Sequence, residues 1–240
     1  MEKNNKLQLI YILPNLFTAA SAFVGVISVI NAASGNFLKA FYLILLALFF
    51  DGLDGRVARL TNTTSKFGAE FDSLSDIVSF GVAPAMLFFF AIGENFHKFG
   101  SLTAAVYVVF GAIRLARFNV ISPSTEPSVF IGLPIPTAAI FTSSLVMTSL
   151  WIESSFFDFT VLIIVFLVSF LMVSNIRYPS FKKIDFKKAH TRKILILLIF
   201  AFSLLYLNPI IFLLLSSSAY IIYAVARSFY HLIIRKKGKS

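Results

Sequence analysis

Apolar residues run along this chain in blocks at 9–31, 37–57, 73–92, 101–117, 133–151, 158–175, 193–207 and 209–230, with short polar stretches between them. A hydrocarbon layer of about 30 Å is crossed by about 20 helical residues, and most of these blocks are of that length. The pattern therefore predicts an all-α, polytopic membrane bundle of about eight transmembrane helices, forming one membrane domain over 1–240. The seventh block is short for a crossing, and Leu207-Asn208-Pro209 reads as a turn or a kink. The leader "MEKNNKLQL" is expected to flow into the first span rather than to end at a cleavage site.

Composition agrees with this reading. Of the 240 residues 58% are hydrophobic and 13% charged, against about a quarter charged in ordinary globular domains. Charge then gives an orientation. Nineteen of the 21 Lys and Arg residues fall in the N-terminal tail or after even-numbered spans, and only Lys39 and Lys98 fall on the other side. The positive-inside rule places both termini in the cytoplasm, a parity that eight spans satisfy and seven do not. The net charge of +10 could suggest nucleic acid, but the cations sit at span ends rather than on a basic soluble face. The densest run, "RYPSFKKIDFKKAHTRK" from Arg177 to Lys193, reads as a topology determinant and as an attractor of anionic headgroups. With no cysteine and three scattered histidines, thiolate and imidazole chemistry have no framework.

One polar stretch does not fit a simple bundle. In "DGLDGRVARLTNTTSKFGAEFDSLSD", Asp51, Asp54, Gly55 and Ala58 share one helical stripe with Arg59 on its border. Gly68, Asp72, Ser75, Asp76, Ser79 and Ala83 share another. Two antiparallel helices joined by the polar connection can turn these stripes toward one cleft, so that four carboxylates converge. Two like charges 4 Å apart repel by about 4 kcal/mol at an effective dielectric constant of 20, so something positive must fill the cluster. Oxygen-only ligands select hard divalent cations: Mg²⁺, Mn²⁺ or Ca²⁺. A pair of such ions about 3.5–4 Å apart suits in-line displacement at phosphorus. Gly55 and Ala58 leave room for a bulky ligand, and Arg59 can reach a phosphate oxygen. The competing reading of the aspartates is as helix caps and interfacial charges.

The spacing Asp51-x-x-Asp54-Gly55-x-x-Ala58-Arg59, eight residues, Gly68-x-x-x-Asp72-x-x-x-Asp76 resembles the signature of the CDP-alcohol phosphotransferase family at every fixed position. The resemblance implies a helical membrane enzyme, usually a homodimer, that releases CMP while passing a phosphoryl-bearing group to a hydroxyl. It implies metal binding by Asp51, Asp54 and Asp72, and a general base at Asp76 that also touches metal. It further implies a nucleotide and pyrophosphate site at Gly55, Ala58, Arg59 and Gly68. The core would occupy 1–176, followed by a basic cytoplasmic loop at 177–192 and C-terminal helices with a basic tail at 193–240.

Four further blocks, "LPNLFTAAS" (Leu13 to Ser21), "FDSLSDIVSFGVAPA" (Phe71 to Ala85), "GAIRLARFNV" (Gly111 to Val120) and "GLPIPTAA" (Gly132 to Ala139), resemble the branch of that family that takes CDP-diacylglycerol as donor and L-serine as acceptor. Phosphatidylserine and CMP are then the expected products, made at the cytoplasmic face of the cell (inner) membrane, with Mg²⁺ or Mn²⁺ as cofactor. Serine brings a carboxylate, which calls for a fixed cation. Arg114 and Arg117, with Asn119 close by, are the candidates, and positive-inside anchoring is the alternative for both arginines. Asn15 and Thr18 could contact nucleotide or pyrophosphate, and helix capping is the alternative for Asn15. Acceptors bearing a phosphate, such as glycerol phosphate or inositol phosphate, remain alternatives within the enzyme class. A cation-coupled transporter is the rival from another class, but neither paired half-domains nor mid-membrane helix breaks are visible.

Overall fold

In this computed structural model the described residues are 2–121, 129–179 and 203–237. They form α1 (Glu2–Ala33), α2 (Phe37–Leu60), α3 (Lys66–Asp76), α4 (Ala83–Ala91), α5 (Lys98–Ile121), β1 (Val129–Ile131), α6 (Ile135–Ile152), α7 (Ser155–Val173), β2 (Arg177–Pro179) and α8 (Pro209–Lys237). A π-helical stretch, Ile77–Val82, joins α3 to α4, so that Lys66–Ala91 is one 26-residue rod. Six of these helical stretches are long and apolar enough to cross a membrane: Ile12–Ala33, Lys66–Ala91, Lys98–Val120, Ile135–Ile152, Ser155–Val173 and Pro209–Ser228. Helix α2 is of spanning length too, at 24 residues, but it carries Asp51, Asp54, Arg56 and Arg59 in its last three turns. The protein is an all-α membrane protein. The expected seventh span, 193–207, lies outside the described residues except for a helical piece at 203–207. That piece ends at Asn208, whose side-chain oxygen accepts the backbone N–H of Ile211 at 3.1 Å and so caps α8.

Large apolar side chains on the outer surface, such as Phe23, Phe49 and Leu167, are more than half exposed, which suits a bundle whose outer solvent is lipid. Lipid provides no hydrophobic drive for helix association, so the inner contacts rely on close backbone approach and on hydroxyl hydrogen bonds. Helix α1 is the centre of these contacts. It packs along α2 and against α3, the π-helical stretch and α4. Ser28 donates to the Ala40 carbonyl at 2.8 Å and Ser21 to the Ala47 carbonyl at 3.0 Å, tying α1 to α2. Ser75 donates to the Thr18 carbonyl and Ser79 to the Ser21 carbonyl, both at 3.0 Å, tying α1 to the third rod. Gly25 makes the crossing there feasible: a Cβ at that position would lie 2.9 Å from the Ser79 Cα.

Two features depart from the sequence pattern. The third rod starts at Lys66, seven residues before the expected span. Ser65 supplies its N-cap by accepting the Gly68 N–H at 3.0 Å, so Asp72 and Asp76 sit inside the helix rather than at its start. The second departure is a small antiparallel β1–β2 pair, in which Phe130 faces Tyr178. It forms where the chain leaves α7 and doubles back beside the segment preceding α6. The Gly132 N–H donates to the Ile176 carbonyl at 2.9 Å, and the Leu133 N–H to the Leu171 carbonyl at 3.0 Å.

Gly132 holds this junction with φ +80°, and a Cβ there would lie 2.2 Å from the Met172 carbonyl oxygen and 2.6 Å from the Arg117 Nη2. Gly132→Ala is therefore expected to cost at least about 1–3 kcal/mol through backbone strain alone. Thermal unfolding in detergent checks this, with a lowered transition as the expected outcome.

Candidate active site

The acidic stripes come from the last turns of α2 and the second half of α3, two helices joined by the short turn at 61–65. One carboxylate oxygen from each of Asp51, Asp72 and Asp76 lies within 4.8 Å of the others. Asp72 Oδ1 and Asp76 Oδ1 are both buried and accept no hydrogen bond from the described residues. Buried carboxylate oxygens with no donor are expensive to maintain. With Asp51 they make three carboxylates around one point, with no thiolate or imidazole among the described residues nearby, a set that fits a hard divalent cation.

Asp54 stands slightly apart. It is 6% exposed, and its Oδ2 accepts the Thr18 hydroxyl at 2.7 Å. Thr18 is itself 3% exposed and also reaches the Pro14 carbonyl at 3.2 Å. Its hydroxyl proton is therefore committed inside the protein, and the side chain orients Asp54. A polar cavity of about 270 Å³ adjoins the carboxylates and is lined by Asn15, Thr18, Asp54, Gly55, Ala58, Arg59, Gly68 and Asp72, among others. Space is tight at Gly68, where a Cβ would lie 3.1 Å from the Ser65 Oγ and 3.3 Å from the Asn15 side-chain oxygen, whereas a Cβ on Gly55 would only touch the Arg59 guanidinium at 3.5 Å.

The three acceptor candidates on α5 are treated very differently by the fold. Arg117 is consumed by structure: its Nη1 donates to the Val173 carbonyl at 2.9 Å, and its Nη2 to Ile131 at 3.0 Å and Ser174 at 2.9 Å. It fastens the end of α7 and β1 to α5. Three of its five N–H donors thus go to backbone carbonyls. Asn119 donates to the Ser73 hydroxyl at 3.0 Å, bracing α5 against α3. Arg114, by contrast, is 6% exposed with its Nε lacking a partner among the described residues, lies over the Phe118 ring at 5.2 Å and interacts electrostatically with Asp76. Sequence reasoning missed Ser65, Ser73 and Ser75 as framework groups. The run "TNTTS" before Lys66 carried the signal for the first of them, as a loop ending in a favoured N-cap.

The sequence profile of the CDP-alcohol phosphatidyltransferases matches residues 11–173, which contain the carboxylates, the cavity and Arg114. The chain belongs to the CDP-alcohol phosphatidyltransferase family. It is 44% identical over 239 residues, covering 96% of this chain and 98% of the relative, to the CDP-diacylglycerol–serine O-phosphatidyltransferase of Helicobacter pylori strain ATCC 700392 / 26695. It is 39% identical over 181 residues to the archaetidylserine synthase of Methanothermobacter thermautotrophicus, covering 75% of this chain and 74% of that one. A third relative, the CDP-diacylglycerol–serine O-phosphatidyltransferase of Bacillus subtilis, is 35% identical over 171 residues, covering 71% of this chain and 92% of its own.

The Thr18 contact yields a specific expectation. Thr18→Val keeps the shape but takes away the side-chain donor of the buried Asp54 carboxylate, so stability should fall by about 1–3 kcal/mol, while Thr18→Ser should stay close to the unmodified protein. Unfolding transitions of the two variants, compared in the same detergent, check this.

Proposed function

We propose that this enzyme transfers the phosphatidyl group of CDP-diacylglycerol to the hydroxyl of L-serine, releasing CMP and forming phosphatidylserine. The observation that supports this most is the convergence of Asp51, Asp72 and Asp76 beside a polar cavity. It occurs in a chain that aligns over almost its whole length with a relative bearing a serine transferase name. Asp51, Asp54, Asp72 and Asp76 would hold the divalent cation, Mg²⁺ or Mn²⁺. Bound there, the cation supplies neutralising charge for the pyrophosphate of the donor.

The remaining chemistry belongs to the chain's own residues. Arg59, at the cavity rim over Gly55, pairs with a phosphate oxygen of the donor, and Asn15 and Gly68 line the nucleotide end. Asp76 accepts the proton of the serine hydroxyl as the new bond from oxygen to phosphorus forms and the bond from phosphorus to CMP breaks. An ordinary aspartate is far less basic than an alkoxide, so this transfer comes late, as the attacking oxygen acquires its bond to phosphorus. Arg114, next to Asp76, fixes the serine carboxylate and so aims the hydroxyl. Among the described residues Arg114 is the one arginine fully buried there, since Arg117 is engaged with backbone carbonyls. A single guanidinium suits a carboxylate better than the dianionic phosphate of glycerol phosphate or inositol phosphate. The acyl chains of the donor stay in the bilayer. We place the site and both termini on the cytoplasmic side of the cell membrane, where 19 of the 21 basic residues would lie.

Two outcomes test this reading. With purified protein, CDP-diacylglycerol and serine, chelation of divalent cations should abolish CMP release, and added Mg²⁺ or Mn²⁺ should restore it; full activity in excess chelator would refute the metal assignment. Asp76→Asn should lower turnover by about 100-fold or more while donor binding suffers less, as expected on removing a positioned general base. Steady-state rates of CMP release, with the lipid product identified across a panel of acceptor alcohols, measure both.

A further inference from the structure

Directly after Asp76 the third rod leaves the α-helical path: Ile77–Val82 is π-helical, and the α-helix resumes at Ala83. Pro84 supplies the cause. In an α-helix the Phe80 carbonyl would accept the N–H of residue 84, but proline has no N–H and its ring crowds the carbonyl four residues back. The turns before it widen, so that the Ala83 N–H reaches the Val78 carbonyl, five residues away. Room for the wider turn comes from Gly81, where a Cβ would lie 2.6 Å from the Ile77 Cδ1. The Phe80 carbonyl is met from another helix: Tyr107 of α5, completely buried, donates its hydroxyl to it at 3.4 Å.

The widened stretch decides which way the acids face. A π-turn holds one residue more than an α-turn, and each residue of an α-helix is worth about 100° of rotation. Helix α4 is anchored beyond the stretch, with Ala83, Ala85, Leu87 and Phe88 completely buried. Were the stretch to close into α-helix, α3 would have to turn instead, and Asp72 and Asp76 would swing away from Asp51. The bonds from Ser75 to the Thr18 carbonyl and from Asn119 to Ser73 belong to the widened register. The facing side of α5 is laid out to match it. Tyr107, Gly111 and Arg114 follow the i, i+4, i+7 spacing of one helix face. Tyr107 meets Phe80, and a Cβ on Gly111 would lie 3.5 Å from the Ile77 Cδ1. Between that approach and the Asn119–Ser73 bond, Arg114 stands level with the end of α3 that carries Asp76. From this geometry we infer that Tyr107 is a positioning residue for the transfer: its hydroxyl holds the widened turn, and the widened turn aims Asp76 into the carboxylate cluster. The inference rests on the cation-assisted transfer proposed above and adds a residue that touches neither substrate nor cation.

Tyr107→Phe, which removes only the hydroxyl, tests it. The probe is Mn²⁺ added to the purified protein without substrate, read as the rise in unfolding temperature. The Mn²⁺ concentration giving half of that rise should increase by about 5-fold, the effect of losing one net hydrogen bond from one of two competing registers. At saturating Mn²⁺, kcat should fall by a similar factor while serine KM stays within about two-fold. A merely structural Tyr107 would lower the unfolding temperature and leave the Mn²⁺ midpoint and kcat unchanged; that result overturns the inference. Pro84→Ala separates position from stability. It returns an N–H to the Phe80 carbonyl, so the unfolding temperature should hold or rise, yet the Mn²⁺ midpoint should rise and kcat should fall as in Tyr107→Phe. If Tyr107→Phe does not fold, Pro84→Ala decides alone, and an unchanged midpoint and kcat overturn the inference. Failure of the parent reading looks different: the unmodified protein would then show neither Mn²⁺ stabilisation nor CMP release in response to serine, and both proposals would fall together.

Discussion

Carboxylate oxygens held within 4.8 Å of one another repel by about 3 kcal/mol per ionised pair even at an effective dielectric constant near 20. The fold around Asp51, Asp72 and Asp76 is arranged to withstand that force. Neither α2 nor α3 can yield, because each is tied to α1 by hydroxyl-to-carbonyl bonds and by the close approach at Gly25. Asp54 is held by Thr18 of the same helix α1. A cation binding at the cluster would therefore meet ligands already in place and relieve the repulsion between them. This is the ordinary logic of a preorganised electrostatic site, where the framework rather than the ligand bears the cost of assembly.

Rigidity in such a bundle has to come from short-range contacts. Apolar side chains that face lipid gain little by facing another helix instead, so small residues and hydroxyls at the crossings matter more than bulk. The distribution here follows that rule. Ser21, Ser28, Ser75 and Ser79 are buried at the α1 crossings, whereas many large side chains, such as Phe23 and Phe49, point outward. The placement of the site at one end of the bundle has the same origin. Ionised groups are costly at mid-membrane depth, and the acids lie in the last turns of α2 and the early turns of the third rod.

Much of this architecture is legible in the order of the amino acids. The apolar blocks mark the helices, and the 3.6-residue period places the four aspartates on two facing stripes, because both signals are carried by single residues at regular intervals. What stays hidden does so for physical reasons. The start of the third rod at Lys66 escapes hydropathy because its first turns are polar, and hydropathy sees only the apolar part of a helix. The β1–β2 pair escapes because three-residue strands show no resolvable alternation. The role of Thr18 depends on which way one hydroxyl turns, which no periodicity encodes. The stretch 193–202, expected to hold most of a seventh span, lies outside the described residues.

Arg114 and Arg117 show where reading by residue type stops. They stand on the same helix one turn apart, with equal charge and equal claim to a substrate, and tertiary context separates them completely. Arg117 meets three backbone carbonyls left over where α7 and β1 end, and a guanidinium is the side chain best able to satisfy several such acceptors at once. Arg114 meets an aromatic face and the field of Asp76, which hold it in place without using all its donors. The clasp ties the end of α7 and β1 to α5, while the guanidinium one turn away stays buried beside the carboxylates with one donor unpaired among the described residues. The carboxylates, the cavity beside them and both arginines all lie within the stretch that the family profile matches, whereas the β2 strand that pairs with β1 lies beyond it.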